Sequence, residues 1–126
     1  MRRIGLIGTV PNPLKRTGPA PELAPDFPGF QLRGYPSRVP VFPYTPLEQA
    51  MQSLGHADAA MTAADDGCRA VVIDSVGDYG LAAMRAMLDV PAFGSGEAGM
   101  AEAASDGRRF GIVTVWAPSM KFIVED

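Results

Sequence analysis

The stretch Val71-Val72-Ile73-Asp74-Ser75-Val76-Gly77-Asp78-Tyr79-Gly80-Leu81 decides the fold of this chain. Cys68–Val76, with three consecutive β-branched residues at its centre, reads as a buried strand of a parallel sheet. Ser75 stands where strand becomes turn. Gly77 and Gly80 bracket a tight turn, and a helix follows from Tyr79 to Leu88 with Leu81, Met84 and Leu88 facing inward. In an open α/β sheet a ligand sits outside the carboxyl ends of the strands, so the turn at Ser75 is where a site belongs.

Working outward, Arg3-Ile4-Gly5-Leu6-Ile7-Gly8 is a short apolar run ended by glycine and reads as the first strand. Residues 10–44 differ in character. They hold nine of the twelve prolines, which forbids a long helix, and a short strand fits only at Phe30–Gly34. Pro46–Ala64 reads as the clearest helix. Thr45 is placed to cap it, Pro46 fits its first turn, and Glu48 stands in the capping-box position. Leu47, Ala50, Met51, Leu54, Ala57, Met61 and Ala64 repeat at helical spacing, which predicts that this stripe is the buried face. Asp65-Asp66-Gly67 stops the helix. Beyond the central stretch, the pattern predicts a strand at Val90–Phe93, a helix at Gly96–Ala104, a strand at Arg109–Trp116 and a helix starting at Pro118. The alternation of strand and helix predicts an α/β fold, a parallel sheet flanked by helices.

The composition excludes several function classes. With 126 residues, one domain-sized core is available. The net charge is −3, and Lys15, Arg16 and Arg108-Arg109 are too few to make a patch for nucleic acid. No apolar run reaches membrane-spanning length, and Met1-Arg2-Arg3-Ile4 enters a strand directly rather than a signal sequence. One cysteine cannot form an internal disulfide and fits a cytoplasmic protein. Cys68 precedes its strand, about 20 Å from the carboxyl end, so it reads as a small buried hydrophobe. His56 lies off the apolar stripe of its helix and reads as a solvated side chain. One His and one Cys build no metal-ligand spacing, and no cofactor motif is present.

Three segments follow strands and could converge on one edge. Ser75 with Gly77, Asp78, Tyr79 and Gly80 reads either as a pocket for a carboxylate- or phosphate-sized group, with a hydroxyl at its floor, or as a plain strand-to-helix turn capped by Asp78. Gly94-Ser95-Gly96-Glu97 also opens a helix. Its N–H groups either face the same cleft, with Ser95 and Gly96 permitting close ligand approach, or are simply capped by Ser95. Thr9 and Asn12 follow the first strand and read as ligand donors or as Asn-Pro turn residues.

The order and spacing of Gly67-Cys68-Arg69-Ala70-Val71-Val72-Ile73-Asp74-Ser75-Val76-Gly77-Asp78-Tyr79-Gly80-Leu81, of Asp89-Val90-Pro91-Ala92-Phe93-Gly94-Ser95-Gly96-Glu97-Ala98-Gly99-Met100, and of Gly107-Arg108-Arg109-Phe110-Gly111-Ile112-Val113-Thr114-Val115 resemble the hydantoin racemase branch of the Asp/Glu racemase superfamily. The resemblance implies a flavodoxin-like α/β lobe, one of two that face each other across a cleft. It implies residues 1–94 as the first lobe, with 10–44 a proline-rich loop region, and 95–126 as the beginning of an incomplete second lobe. It also implies cofactor-independent isomerisation of small amino-acid-derived carboxylates or hydantoins by two cysteines, one from each lobe. Ser75 stands at the position of the family's first cysteine, and the chain ends before the region of the second. The resemblance thus makes Ser75 the catalytic-position residue. Thr9, Asn12, Gly77, Asp78, Tyr79, Gly80, Ser95 and Gly96 become its substrate-binding neighbours. Racemisation by these 126 residues alone is not expected, and a non-catalytic small-anion-binding relative is the alternative. A single-cysteine decarboxylase or isomerase is a further alternative if a longer chain exists. An incompletely covered apolar strand invites a homo-oligomer.

Overall fold

A computed structural model describes residues 2–8 and 28–113. Strands β1 (Arg2–Gly8), β2 (Phe30–Pro36), β3 (Ala70–Ile73) and β4 (Ala92–Gly94) form one parallel sheet in the order β2-β1-β3-β4. The two central strands, β1 and β3, carry the apolar runs Ile4–Ile7 and Val71–Ile73. In their register, Gly5 lies opposite Val71 and Ile7 opposite Ile73. Among the described residues, 28–44 hold β2 and no helix, in keeping with their proline content.

Helix α1 (Pro46–Asp65) begins where local chemistry places it. The Thr45 hydroxyl accepts from the Glu48 N–H at 3.3 Å, and the Glu48 carboxylate accepts from the Thr45 N–H at 2.8 Å, closing the capping box. The helix ends in Asp66 and a left-handed Gly67, as the Asp-Asp-Gly stop implies. Helix α2 (Leu81–Met87) and helix α3 (Ser95–Ala104) complete the described elements.

The core lies on one face of the sheet. Ile7, Tyr35, Val71, Ile73 and Ala92 pack there against Ala59, Ala60 and Ala63 of α1 and against Leu81 and Met84 of α2. Cys68 is buried at the lower end of this cluster, with its Sγ 3.5 Å from the Tyr35 hydroxyl, as expected of a small hydrophobe. Burial, and then this contact with Cys68, push the Tyr35 phenol well above its ordinary value.

Two sequence expectations fail here. The first is the buried face of α1. Leu47 and Leu54 are 70% and 68% exposed, and Met51 and Met61 are also exposed. Of that stripe only Ala57 is buried, and the helix buries with it Gln52, Gly55, His56, Ala59, Ala60 and Ala63. Small side chains let the helix lie close on the sheet. The Ala63 Cβ is 2.9 Å from where a side chain on Gly5 would begin, a distance at which Leu or Met has no room. The second is the strand at Arg109–Trp116. Residues 109–113 join no sheet, 114–116 lie outside the described residues, and so does the helix expected from Pro118. An apolar run becomes a strand only where a partner edge supplies its hydrogen bonds.

Candidate functional site

The carboxyl ends of β1 and β3 lie where the strand order reverses, with β2 beside β1 on one flank and β4 beside β3 on the other, the usual ligand position in such folds. Asp74 N–H still donates to the Ile7 carbonyl at 2.9 Å, so Ser75 is the first residue beyond the β1–β3 ladder. The chain then turns tightly. Asp78 N–H donates to the Ser75 carbonyl at 3.2 Å, and Leu81 N–H donates to the Asp78 carbonyl at 3.1 Å. Asp78 takes a left-handed conformation at φ 48°, which Asp tolerates better than most residues. Gly80 is also left-handed, and a Cβ there would sit 2.6 Å from the Ser53 carbonyl oxygen, so only glycine fits against α1.

This turn is held from two sides. On one side, Asp78 accepts from the backbone N–H groups of Gly96 at 2.9 Å and Glu97 at 2.6 Å, so it caps α3, 18 residues ahead in sequence, rather than its own helix. The N-terminus of α3 therefore already holds an internal carboxylate at the place where the sequence allowed a ligand's. Glu97 turns its own carboxylate to Arg85 of α2 in a two-pronged ion pair, which holds it below the usual carboxylate range. On the other side, His56 of α1 places its Nδ1 2.9 Å from the Tyr79 carbonyl oxygen. A carbonyl only accepts, so Nδ1 carries the proton.

His56 is fully buried, which corrects the solvated reading. The Gly- and Ala-rich face of α1, not its Leu/Met stripe, meets the sheet, and His56 lies on that face. Burial lowers its pKa and keeps the ring neutral, an effect the Tyr79 carbonyl partly offsets. Gln52, one turn nearer the helix start, is also fully buried.

Of the sequence-selected residues, the structure gathers Ser75, Gly77, Asp78, Tyr79 and Gly80 in one turn. Asp78 draws Ser95 and Gly96 beside it. Thr9 and Asn12 lie outside the described residues. An open groove of about 440 Å³ runs alongside the turn, lined by Gln49 and Ser53 of α1 and by Gly77, Asp78, Tyr79 and Gly80. His56 and Gln52 were missed because the hydrophobic stripe pointed to the wrong face. The signal that finds them is the run of small residues at Gly55, Ala59, Ala60 and Ala63, on whose ridge they lie. Among the described residues, no group of three or more His, Cys, Asp or Glu side chains is placed to hold a metal ion, and no helix is long and apolar enough to cross a membrane.

A parallel α/β sheet with this glycine-bracketed turn at its carboxyl edge is joined by a match to the Asp/Glu/hydantoin racemase family over residues 20–125, most of the chain. The chain belongs to the Asp/Glu/hydantoin racemase family. Among solved structures, this racemase-family chain is similar to the allantoin racemase from Klebsiella pneumoniae at 25% identity and a TM-score of 0.69, over 83% of this chain and 44% of that one. It shares a fold with the maleate cis-trans isomerase of Nocardia farcinica, solved as a cysteine-to-serine variant with a covalently bound succinylcysteine intermediate. That match has 16% identity and a TM-score of 0.52, and covers 82% of this chain and 48% of that one. The chain thus spans less than half the length of either neighbour. No curated protein sequence matches it.

Proposed function

We propose that residues 1–94 of this racemase-family chain form a first α/β lobe, that residues 95–126 open a second, and that the Ser75–Gly80 turn binds a small amino-acid-derived carboxylate or hydantoin-like ureide without a cofactor. The observation that carries this reading is the turn itself. It stands at the carboxyl edge of the central strands, is held by Asp78 and His56, and borders an open groove. The neighbour named as an allantoin racemase supports a ureide as one ligand class.

Ser75, with Thr9, Asn12, Gly77, Asp78, Tyr79, Gly80, Ser95 and Gly96 around it, is the proposed binding set. The role of Ser75 is to hydrogen-bond the ligand. Its hydroxyl has a pKa far above that of the thiol that the family resemblance implies, so it does not supply a ready base near neutral pH. Two-base proton transfer needs two poised groups on opposite faces of one carbon. Ser75 is therefore proposed to bind the ligand and not to move its proton. The exposed Leu47, Met51 and Leu54 support association with a second copy.

The test is a titration with hydantoin and with succinate, followed by amide chemical shifts. Shifts centred on residues 75–80, weakened about fivefold by Ser75→Ala, support the reading, since one hydrogen bond is worth roughly 1 kcal/mol. Shifts confined to Arg108 and Arg109 mean surface charge and overturn it. Rapid exchange of the hydantoin α-proton into deuterated water, lost in Ser75→Ala, would overturn the absence of chemistry.

A further inference from the structure

Gln52 is the one buried side chain whose polar atoms find no hydrogen-bond partner among the described residues. Both its Oε1 and its Nε2 are unpaired, and the residue is fully buried. A carboxamide offers two donors and two acceptor lone pairs, and leaving all of them unmet inside a protein is costly enough to call for a reason.

Its place supplies one. Three residues on, Gly55 packs against Ser37, whose N–H donates to the Gly8 carbonyl at 2.8 Å just past the ends of β1 and β2. The adjacent residue, Ser53, touches Gly80 just past β3. Gln52 lies one helical turn above His56, nearer the start of α1, and therefore beyond the strand ends. Its position on α1 is therefore at the carboxyl edge, between the segment that follows β2, which Gly55 meets, and the turn that follows β3, which Ser53 meets. Gln49 and Ser53, on the neighbouring ridge of the same helix, line the open groove.

We infer that Gln52 is a specificity-determining residue of the carboxyl-edge site, and that its carboxamide pairs with the amide edge of a ureide in preference to a carboxylate. This rests on the reading of that edge as a ligand site and narrows its ligand class. A ureide presents an N–H beside a C=O. The N–H donates to Oε1 and the C=O accepts from Nε2–H, so both ends of Gln52 are satisfied by one ligand. A carboxylate presents acceptors alone. It takes the Nε2 donors but sets its negative charge against the Oε1 lone pairs. The carboxamide is shut from solvent in this structure, so a ligand gains it by displacing what covers it.

The experiment compares the full 126-residue chain with Gln52→Met and Gln52→Glu, titrating each with hydantoin and with succinate and recording thermal unfolding. Gln52→Met removes the unpaired polar atoms at nearly constant volume. The expected result is a raised midpoint of unfolding together with about tenfold weaker hydantoin binding and unchanged or tighter succinate binding. Gln52→Glu, which keeps the shape but loses the donor, is expected to weaken both ligands. A Gln52→Met variant that unfolds at a lower temperature shows that Gln52 has a structural partner, and overturns the proposal. So does a variant that binds hydantoin as the parent chain does, and in that case the site reading stands. If the parent chain binds neither hydantoin nor succinate at residues 75–80, the site reading itself fails, and the proposal falls with it.

Discussion

The carboxylate of Asp78 caps the helix that starts at Ser95, accepting the Glu97 N–H at 2.6 Å, and so ties the turn after β3 to the turn after β4. One side chain thereby fixes two of the segments that the proposed binding set draws on. It also works from a left-handed backbone at φ 48°, so both its shape and its charge matter.

Replacing Asp78 by Ala is expected to cost about 2 kcal/mol, combining a lost N-cap with a left-handed alanine. Asp78→Asn, which keeps one acceptor and tolerates the conformation, should cost about half as much. Urea unfolding of the three chains checks the order. Equal stabilities for the Ala variant and the parent would mean that the cap contributes nothing.

His56 predicts a pH dependence. Burial holds its pKa in the folded chain below the ordinary 6.5. The unfolded chain therefore binds a proton at His56 at a higher pH than the folded chain does. Stability from this group is complete above about pH 6.5 and declines as pH falls toward the lowered folded value. Asp58, held down by its hydrogen bonds to Arg38, and Glu97, held down by Arg85, lose their contributions only in the more acid carboxylate range. A stability profile measured by urea unfolding should fall as pH drops below about 6.5 in the parent chain and be flatter there in His56→Asn. An imidazole proton resonance that titrates at or above 6.5 would contradict the buried neutral ring.

The face of α1 that meets the sheet is tested by a reversed pair of substitutions. Leu54→Ser removes a large apolar group from a position 68% exposed, and the expected cost to folding of the single chain is under about 0.5 kcal/mol. Ala60→Leu adds a helix-favouring apolar residue at a position with no exposure, and the expected cost is about 1–3 kcal/mol. Thermal unfolding at low concentration decides between this and the amphipathic stripe, which predicts the opposite order.

Gly55 gives a sharper form of the same argument. Alanine is favoured over glycine within a helix by about 1 kcal/mol. At this position, however, the added methyl runs into the Ser37 Oγ, with Val39 Cβ 3.0 Å away. Gly55→Ala is expected to lower the unfolding midpoint, and to recover part of the loss when combined with Ser37→Gly.

Local chemistry alone determined much of this protein. The Val71-Val72-Ile73 run and its glycine-bracketed turn, the Thr45–Glu48 capping box and the Asp-Asp-Gly stop each act within a few residues, so strand β3 and both ends of α1 are legible without a fold. The place of Ser75 beyond its strand follows from the same short-range pattern. Tertiary structure decided what depends on distances between remote segments. Which face of α1 is buried was settled by how closely Gly5 and Ser37 let the helix approach, and that outranked the hydrophobic stripe. His56 and Gln52 went inside with the small residues beside them. Asp78 found its partners 18 residues away, because parallel strands bring their carboxyl ends to one edge whatever their separation in the chain. Among the described residues the run from Arg109 to Val113 pairs with no strand edge, and an apolar pattern makes a strand only where such an edge supplies its hydrogen bonds.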